Sequence, residues 1–172
     1  MLIPLASEAA TRMDFARWLV SRENTRTARV AVNRVWQAYF GVGMVATAGD
    51  FGSRGDSPSH PELLDWLAAE FVAQGYSLKA LHRLIVTSAT YRQSSRFRSD
   101  AAEIDPANRM LTRQNRLRLE AEIIRDATLA VSGLLSRKIG GPSVYPYQPP
   151  GIMENRATPA PWVESPGEDA YR

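Results

Sequence analysis

The sequence predicts an all-α fold: an irregular bundle of about five helices with a long ordered loop and a proline-rich C-terminal tail. Apolar residues recur at three- and four-residue spacing in separate stretches, the period of one helix face. Residues that start and stop helices stand at the edges of several stretches. Seven of the eleven prolines lie from Pro142 onward, where a fixed φ and a missing N–H prevent a helix of any length. With 172 residues and 44% hydrophobic content, the chain can bury one ordinary core. Residues 1–138 are therefore assigned to a helical domain and 139–172 to an extended Pro/Gly-rich tail.

The first helix is expected over Met13 to Ser21, carried by Phe15, Trp18 and Leu19. The second fits Thr25 to Phe40, with Ala28, Val32, Val35, Trp36 and Tyr39 on one face and Gly41 in the C-terminal cap position. Its other face is a polar stripe of Arg26, Arg29, Asn33 and Gln37. From Gly41 to Ser59 periodicity gives way to Gly, Asp and Ser, the mark of a long loop. Ser59, Pro61 and Glu62 then spell a capping box opening a third helix, whose buried face is Leu63, Leu64, Leu67, Ala68 and Phe71. Ser77 starts a fourth helix after a short turn, with Leu78, Leu81, Leu84, Ile85 and Ala89 along one side. The fifth fits Glu120 to Leu135 and is stopped by Gly140-Gly141-Pro142. The expected core includes Trp18, Trp36, Trp66, Leu64, Leu67, Phe71, Leu81, Ile85 and Ile124.

Composition excludes several chemistries. The absence of cysteine rules out a disulfide framework, a thiol nucleophile, a thiolate zinc site, an iron–sulfur cluster and a covalently attached c-type haem. No run of 18 apolar residues exists to span a bilayer. The start, Met1 to Glu8, lacks the basic and apolar regions of a signal peptide. Arginine dominates the positive charge, with Lys79 and Lys138 the only lysines. Seven arginines lie between Arg92 and Arg118 against Asp100, Glu103 and Asp105. This stretch reads as a solvated connector pairing with acidic helix faces.

Single motifs give way to plainer readings. Gly41-Val42-Gly43 resembles a dinucleotide-binding pattern in letters, but a helix precedes it where that chemistry needs a strand. His60 lies beside Glu62 and Asp65, yet ligands on a helix need neighbours three or four residues apart, so it reads as finishing a helix terminus. His82 reads as a half-buried packing residue. Glu122 and Asp126, with Arg125 between them, read as a salt-bridged helix face. No metal or cofactor is expected. The turn at Gly75-Tyr76-Ser77 suggests a helix-turn-helix, but the fourth helix is too apolar to leave a face for bases. Nucleic acid is therefore not an expected partner.

Longer stretches carry a family resemblance. Thr27-Ala28-Arg29-Val30-Ala31-Val32-Asn33-Arg34-Val35-Trp36-Gln37, Asp50-Phe51-Gly52, Pro58-Ser59-His60-Pro61-Glu62-Leu63-Leu64-Asp65-Trp66-Leu67-Ala68 and Thr87-Ser88-Ala89-Thr90-Tyr91-Arg92-Gln93-Ser94-Ser95 are similar to the planctomycete cytochrome-associated domain of unknown function fifteen fifty-three. Arg125-Asp126, Gly140-Gly141-Pro142 and Gly167-Glu168-Asp169 continue the match. The resemblance implies a C-terminal piece of a large exported protein carrying a companion domain and a c-type haem domain, truncated here at its C-terminal end. It also implies a setting of polysaccharide breakdown, an association rather than a mechanism.

Two functions follow as expectations. The first is a non-catalytic interaction module that packs on the companion and haem domains of its exported parent. The second is a fragment of an enzyme or carbohydrate-binding domain, with Asn33, Arg34, Gln37, Asp50, His60, Asp65, Tyr91 and Arg92 lining a site where the loop meets the helices. Carboxylates beside aromatic platforms such as Trp36 and Trp66 are what sugar chemistry needs.

Overall fold

Helix α2 spans Thr25–Phe40 in the computed structural model, which describes residues 11–152 and 161–172. Its bounds are those that periodicity sets. The Asn24 side chain accepts from the N–H groups of Arg26 and Thr27, satisfying two donors that the first helical turn leaves without partners. At the other end the Gly41 N–H donates to the Gln37 carbonyl at 2.7 Å.

The chain divides into two compact units, Met1–Leu117 and Arg118–Arg172. In the first, α2 packs most broadly on α3 (Pro61–Ala73), and both meet α4 (Leu78–Thr87). The buried core is Val32, Trp36 and Phe40 from α2, Leu64, Leu67 and Phe71 from α3, Leu81 and Ile85 from α4, and Met44 and Val45 from the loop. Helix α1 (Arg12–Leu19) opens with a capping box between Thr11 and Asp14 but buries no residue. Trp18 is therefore a half-buried neighbour of Phe15, stacked at 6.0 Å, rather than core. Trp66 is also outside the core, at 52% exposure. It follows Leu64 by two positions, about 200° around the helix, so burying Leu64 turns Trp66 to solvent.

The capping box expected at Ser59 does not form. His60 is the N-cap residue of α3 and no side chain caps it. The Ser59 N–H donates instead to the Met44 carbonyl at 2.8 Å, and its hydroxyl shares a 2.9 Å hydrogen bond with His60 Nδ1. Helix α4 starts at its Ser77 cap, whose oxygen accepts from the Ala80 N–H, and ends at Ser88, where the backbone becomes extended. A short α5 (Ala89–Arg92) follows, capped by the Ser88 hydroxyl.

The arginine-rich stretch keeps six of its seven arginines exposed, Arg113 being half-buried, but it is folded. It contains α6 (Ser99–Ile104), which buries Ala101, and a folded loop organised by Asn108, 2% exposed. Asn108 Nδ2 donates to the Arg113 carbonyl and to Asn115 Oδ1, both at 2.8 Å. Asn115 Nδ2 in turn donates to the Phe40 carbonyl at 2.7 Å, tying the loop to the end of α2. Of the segment's arginines, Arg98 alone has an ion pair among the described residues, with Asp100 at 2.7 Å.

The second unit contains α7 (Ala121–Ser132). Gly133, at φ 75°, ends it well before Gly140; a left-handed residue there lets its N–H return to the carbonyls of the last turn. Helix α7 buries no residue, and Ile124 is 51% exposed rather than core. Among the described residues beyond it the one further helical element is a 3₁₀ turn at Gly167–Tyr171, short enough to coexist with the prolines. Arg125 donates from both terminal nitrogens to the carbonyls of Arg172 and Ala170, each at 2.6 Å. Trp162 Nε1 donates to the Pro146 carbonyl at 2.7 Å, and its ring meets Tyr145 edge-on. Among the described residues there are seven α-helices, no strand, and no helix long and apolar enough to cross a membrane.

Candidate functional site

The loop between α2 and α3 is held at its base by one buried side chain. Asn33 Nδ2 donates to the Val45 carbonyl at 3.0 Å, and Asn33 Oδ1 accepts from the Val45 N–H at 2.9 Å. The amide thus pairs with one residue's backbone as a neighbouring strand would. Gly43 permits the approach, because a Cβ there would sit 2.5 Å from Asn33 Nδ2 and 2.7 Å from the Val45 carbonyl. Further out, Thr47 Oγ1 donates to the Asp50 carbonyl at 3.0 Å and accepts from the Asp56 N–H at 2.9 Å.

The eight residues expected to line a site serve separate purposes. Asn33 is fully buried and committed to Val45. Asp50 accepts from the Gly52 N–H at 3.2 Å and has Arg54 at 3.6 Å, a local turn. His60 pairs with Ser59. Asp65 is an exposed partner of Arg29 at 3.0 Å, on the wall of a groove of about 670 Å³ between the start of α2 and the second half of α3. Tyr91 packs edge-on against Tyr39 and Phe40. Arg34, Gln37 and Arg92 are exposed. Arg34 lines a different groove, between α1 and α2, so Asp65 and Arg34 do not share one.

The helix faces bring other groups together. Tyr39 and His82 share a 2.7 Å hydrogen bond, so His82 is half-buried and bonded. Burial first, and then the neighbouring Tyr91, push the Tyr39 hydroxyl above its ordinary pKa. Asp105 accepts from the Met110 and Arg109 N–H groups at 2.7 and 2.9 Å. These bonds hold its carboxyl below the ordinary range, with Arg113 and Arg109 adding their charge. Among the described residues no group of three His, Asp or Glu is placed to hold a metal.

Sequence reasoning missed the folded loop that follows α6. Arg113 and Arg116 line a cavity there, with Phe97, Gln114 and Asn115. The excess of arginine over acid between Arg92 and Arg118 was the available signal.

The profile of PSD1, described as a protein of unknown function (DUF1553), matches residues 11–172. The chain belongs to this family. Comparison with curated proteins and with solved structures returns no match. For a PSD1 member, the polar residues of the loop and of α2 and α3 are thus part of the scaffold: Asn33 closes the loop, Asp65 holds Arg29, and Asp50 shapes a turn.

Proposed function

We propose that this chain is a non-catalytic interaction module of a larger exported, haem-associated protein, docking on that protein's companion and c-type haem domains. The observation that carries the reading is the internal commitment of Asn33, Asp50, His60 and Asp65. Side chains already bonded within the fold are poor candidates for acid–base work, which needs a group within reach of substrate. The exposure of large apolar side chains, Trp66 on α3 and Val131 on α7 among them, supports docking in the same direction, since association is driven by removing such area from water. The resemblance noted from the sequence supplies the setting.

The test mixes the purified chain with the separately purified companion and c-type haem domains and follows complex formation by sedimentation velocity. A complex is expected with at least one of them at about 100 µM of each component, a range that reports weak docking. Independent sedimentation of all three would overturn the reading.

A further inference from the structure

The cavity after α6, about 510 Å³, lies wholly in the first unit and is lined by Phe97, Arg113, Gln114, Asn115 and Arg116 beside the end of α2. We propose that it recognises a carboxylate carried by an acidic peptide segment of a partner protein. The proposal takes the docking reading above as its frame and adds the partner's chemistry.

Charge is the first argument. The lining holds two guanidinium groups and no acid. Neither Arg113 nor Arg116 has an ion pair among the described residues, whereas Arg98 nearby is taken by Asp100. Asp105 feels the charge of Arg113 but commits its oxygens to the backbone of Arg109 and Met110. The carbonyl end of α2 opposes an anion with about half a charge, against two full positive charges, and Asn115 already bonds the Phe40 carbonyl there.

Unsatisfied polar atoms are the second. Arg113 Nη1 and Gln114 Oε1 are closed to solvent and have no hydrogen-bond partner among the described residues. A buried donor and a buried acceptor left open are costly. Both side chains line the cavity and are half-buried, so an unmet donor and an unmet acceptor belong to groups that border it. A carboxylate would accept from Arg113, and a peptide N–H beside it would donate to Gln114. A free inorganic anion offers only the first.

Presentation is the third. The Asn108 network and the Gln114 N–H bond to the Ser94 carbonyl fix the backbone at Arg113 and Gln114, so little backbone freedom is lost there on binding. The Arg113 guanidinium lies 5.6 Å from the Phe97 ring centre. Phe97, Val42 and Leu117 form an exposed apolar rim suited to side chains flanking an acidic residue rather than to a sugar–phosphate backbone.

The experiment titrates the full chain, labelled with ¹⁵N, with a capped hexapeptide of two aspartates set among leucines, and with its two-asparagine counterpart. Expected are shifts centred on the Gln114, Asn115 and Phe97 amides, and affinity weaker by about tenfold or more for the asparagine peptide, as loss of charge-assisted bonds requires. Arg113→Gln should abolish the difference between peptides. Arg113→Lys, which keeps the charge but not the fork, should reduce it, and circular dichroism confirms that both variants fold. Equal binding of the two peptides, shifts centred elsewhere, unchanged binding by Arg113→Gln, or equal occupancy by sodium acetate or a single-stranded oligonucleotide would each overturn the proposal. If Arg113→Gln loses the peptide but still sediments with the companion or haem domain, this site stands apart from docking. If it keeps both, the site falls and docking survives.

Discussion

Removing the amide of Asn33 should loosen the first unit more than any surface change. Asn33 is fully buried and Val45 is 3% exposed, so the two bonds between them, at 3.0 and 2.9 Å, lie out of water. Asn33→Ala strands one buried N–H and one buried C=O, each worth about 1–3 kcal/mol. Together they imply a loss of about 2–6 kcal/mol, a large part of the roughly 5–15 kcal/mol that holds a domain folded. Because the chain has two units, a global melt mixes transitions; amide exchange at Val45, Val32 and Leu64 reports the first unit alone. The expected outcome is loss of protection at Val45 by at least about 30-fold, equivalent to about 2 kcal/mol, with a smaller drop at Val32 and Leu64. Asn33→Asp separates hydrogen bonding from size. It keeps an acceptor for the Val45 N–H but sets a carboxylate against the Val45 carbonyl, which raises its folded pKa. That variant should therefore gain stability as pH falls through the raised folded value toward about 4. A change under about 1 kcal/mol in Asn33→Ala, with Val45 still protected, would refute the reasoning.

Other perturbations test the same logic. Gly43→Ala places a Cβ 2.5 Å from Asn33 Nδ2, so it should cost about as much as a strained core contact, roughly 1–3 kcal/mol, and combine less than additively with Asn33→Ala when both are measured by exchange. Arg125→Lys loses the two-pronged bond to Ala170 and Arg172; limited proteolysis should then cut the 3₁₀ turn of the second unit severalfold faster, with α7 unchanged by circular dichroism. The depressed Asp105 carboxyl contributes stability above the unfolded value near 3.9 that is lost as pH falls through its lower folded value. Exchange at the Arg109 and Met110 amides should accelerate in that acid window beyond its intrinsic rate, and Asp105→Asn should remove the effect.

Helices α2 and α4 were legible because their signals are local. A glycine after Phe40 and a serine before Leu78 act within one turn, and apolar period supplies the rest. Gly133 was missed as a stop because a lone glycine in a periodic run looks like a tolerated helical residue until its φ is known. The Ser59 cap failed for a tertiary reason: the Met44 carbonyl and the His60 ring claim Ser59 from outside the helix pattern. Trp66, expected in the core, is exposed because its angular offset from Leu64 puts it opposite. For the site, Asn33 stood out as a polar residue on a helix, but nothing local says that its partner is Val45, twelve residues on. The cavity around Arg113 depends on a bond from Asn115 to Phe40, 75 residues apart, a relation that periodicity does not encode.

The closure of the loop between α2 and α3 has a use in engineering. Its two ends are stitched together where it leaves the core, by the Ser59 bond to the Met44 carbonyl and by Asn33 on Val45. Chain added at the tip would therefore enlarge an already closed ring, at only about 0.6 kcal/mol for each doubling of its length. Gly49 faces open space, with nothing within 4 Å of an added Cβ. A foreign epitope or a fluorophore-accepting tag grafted at Gly49 would ride on the domain without entering its packing.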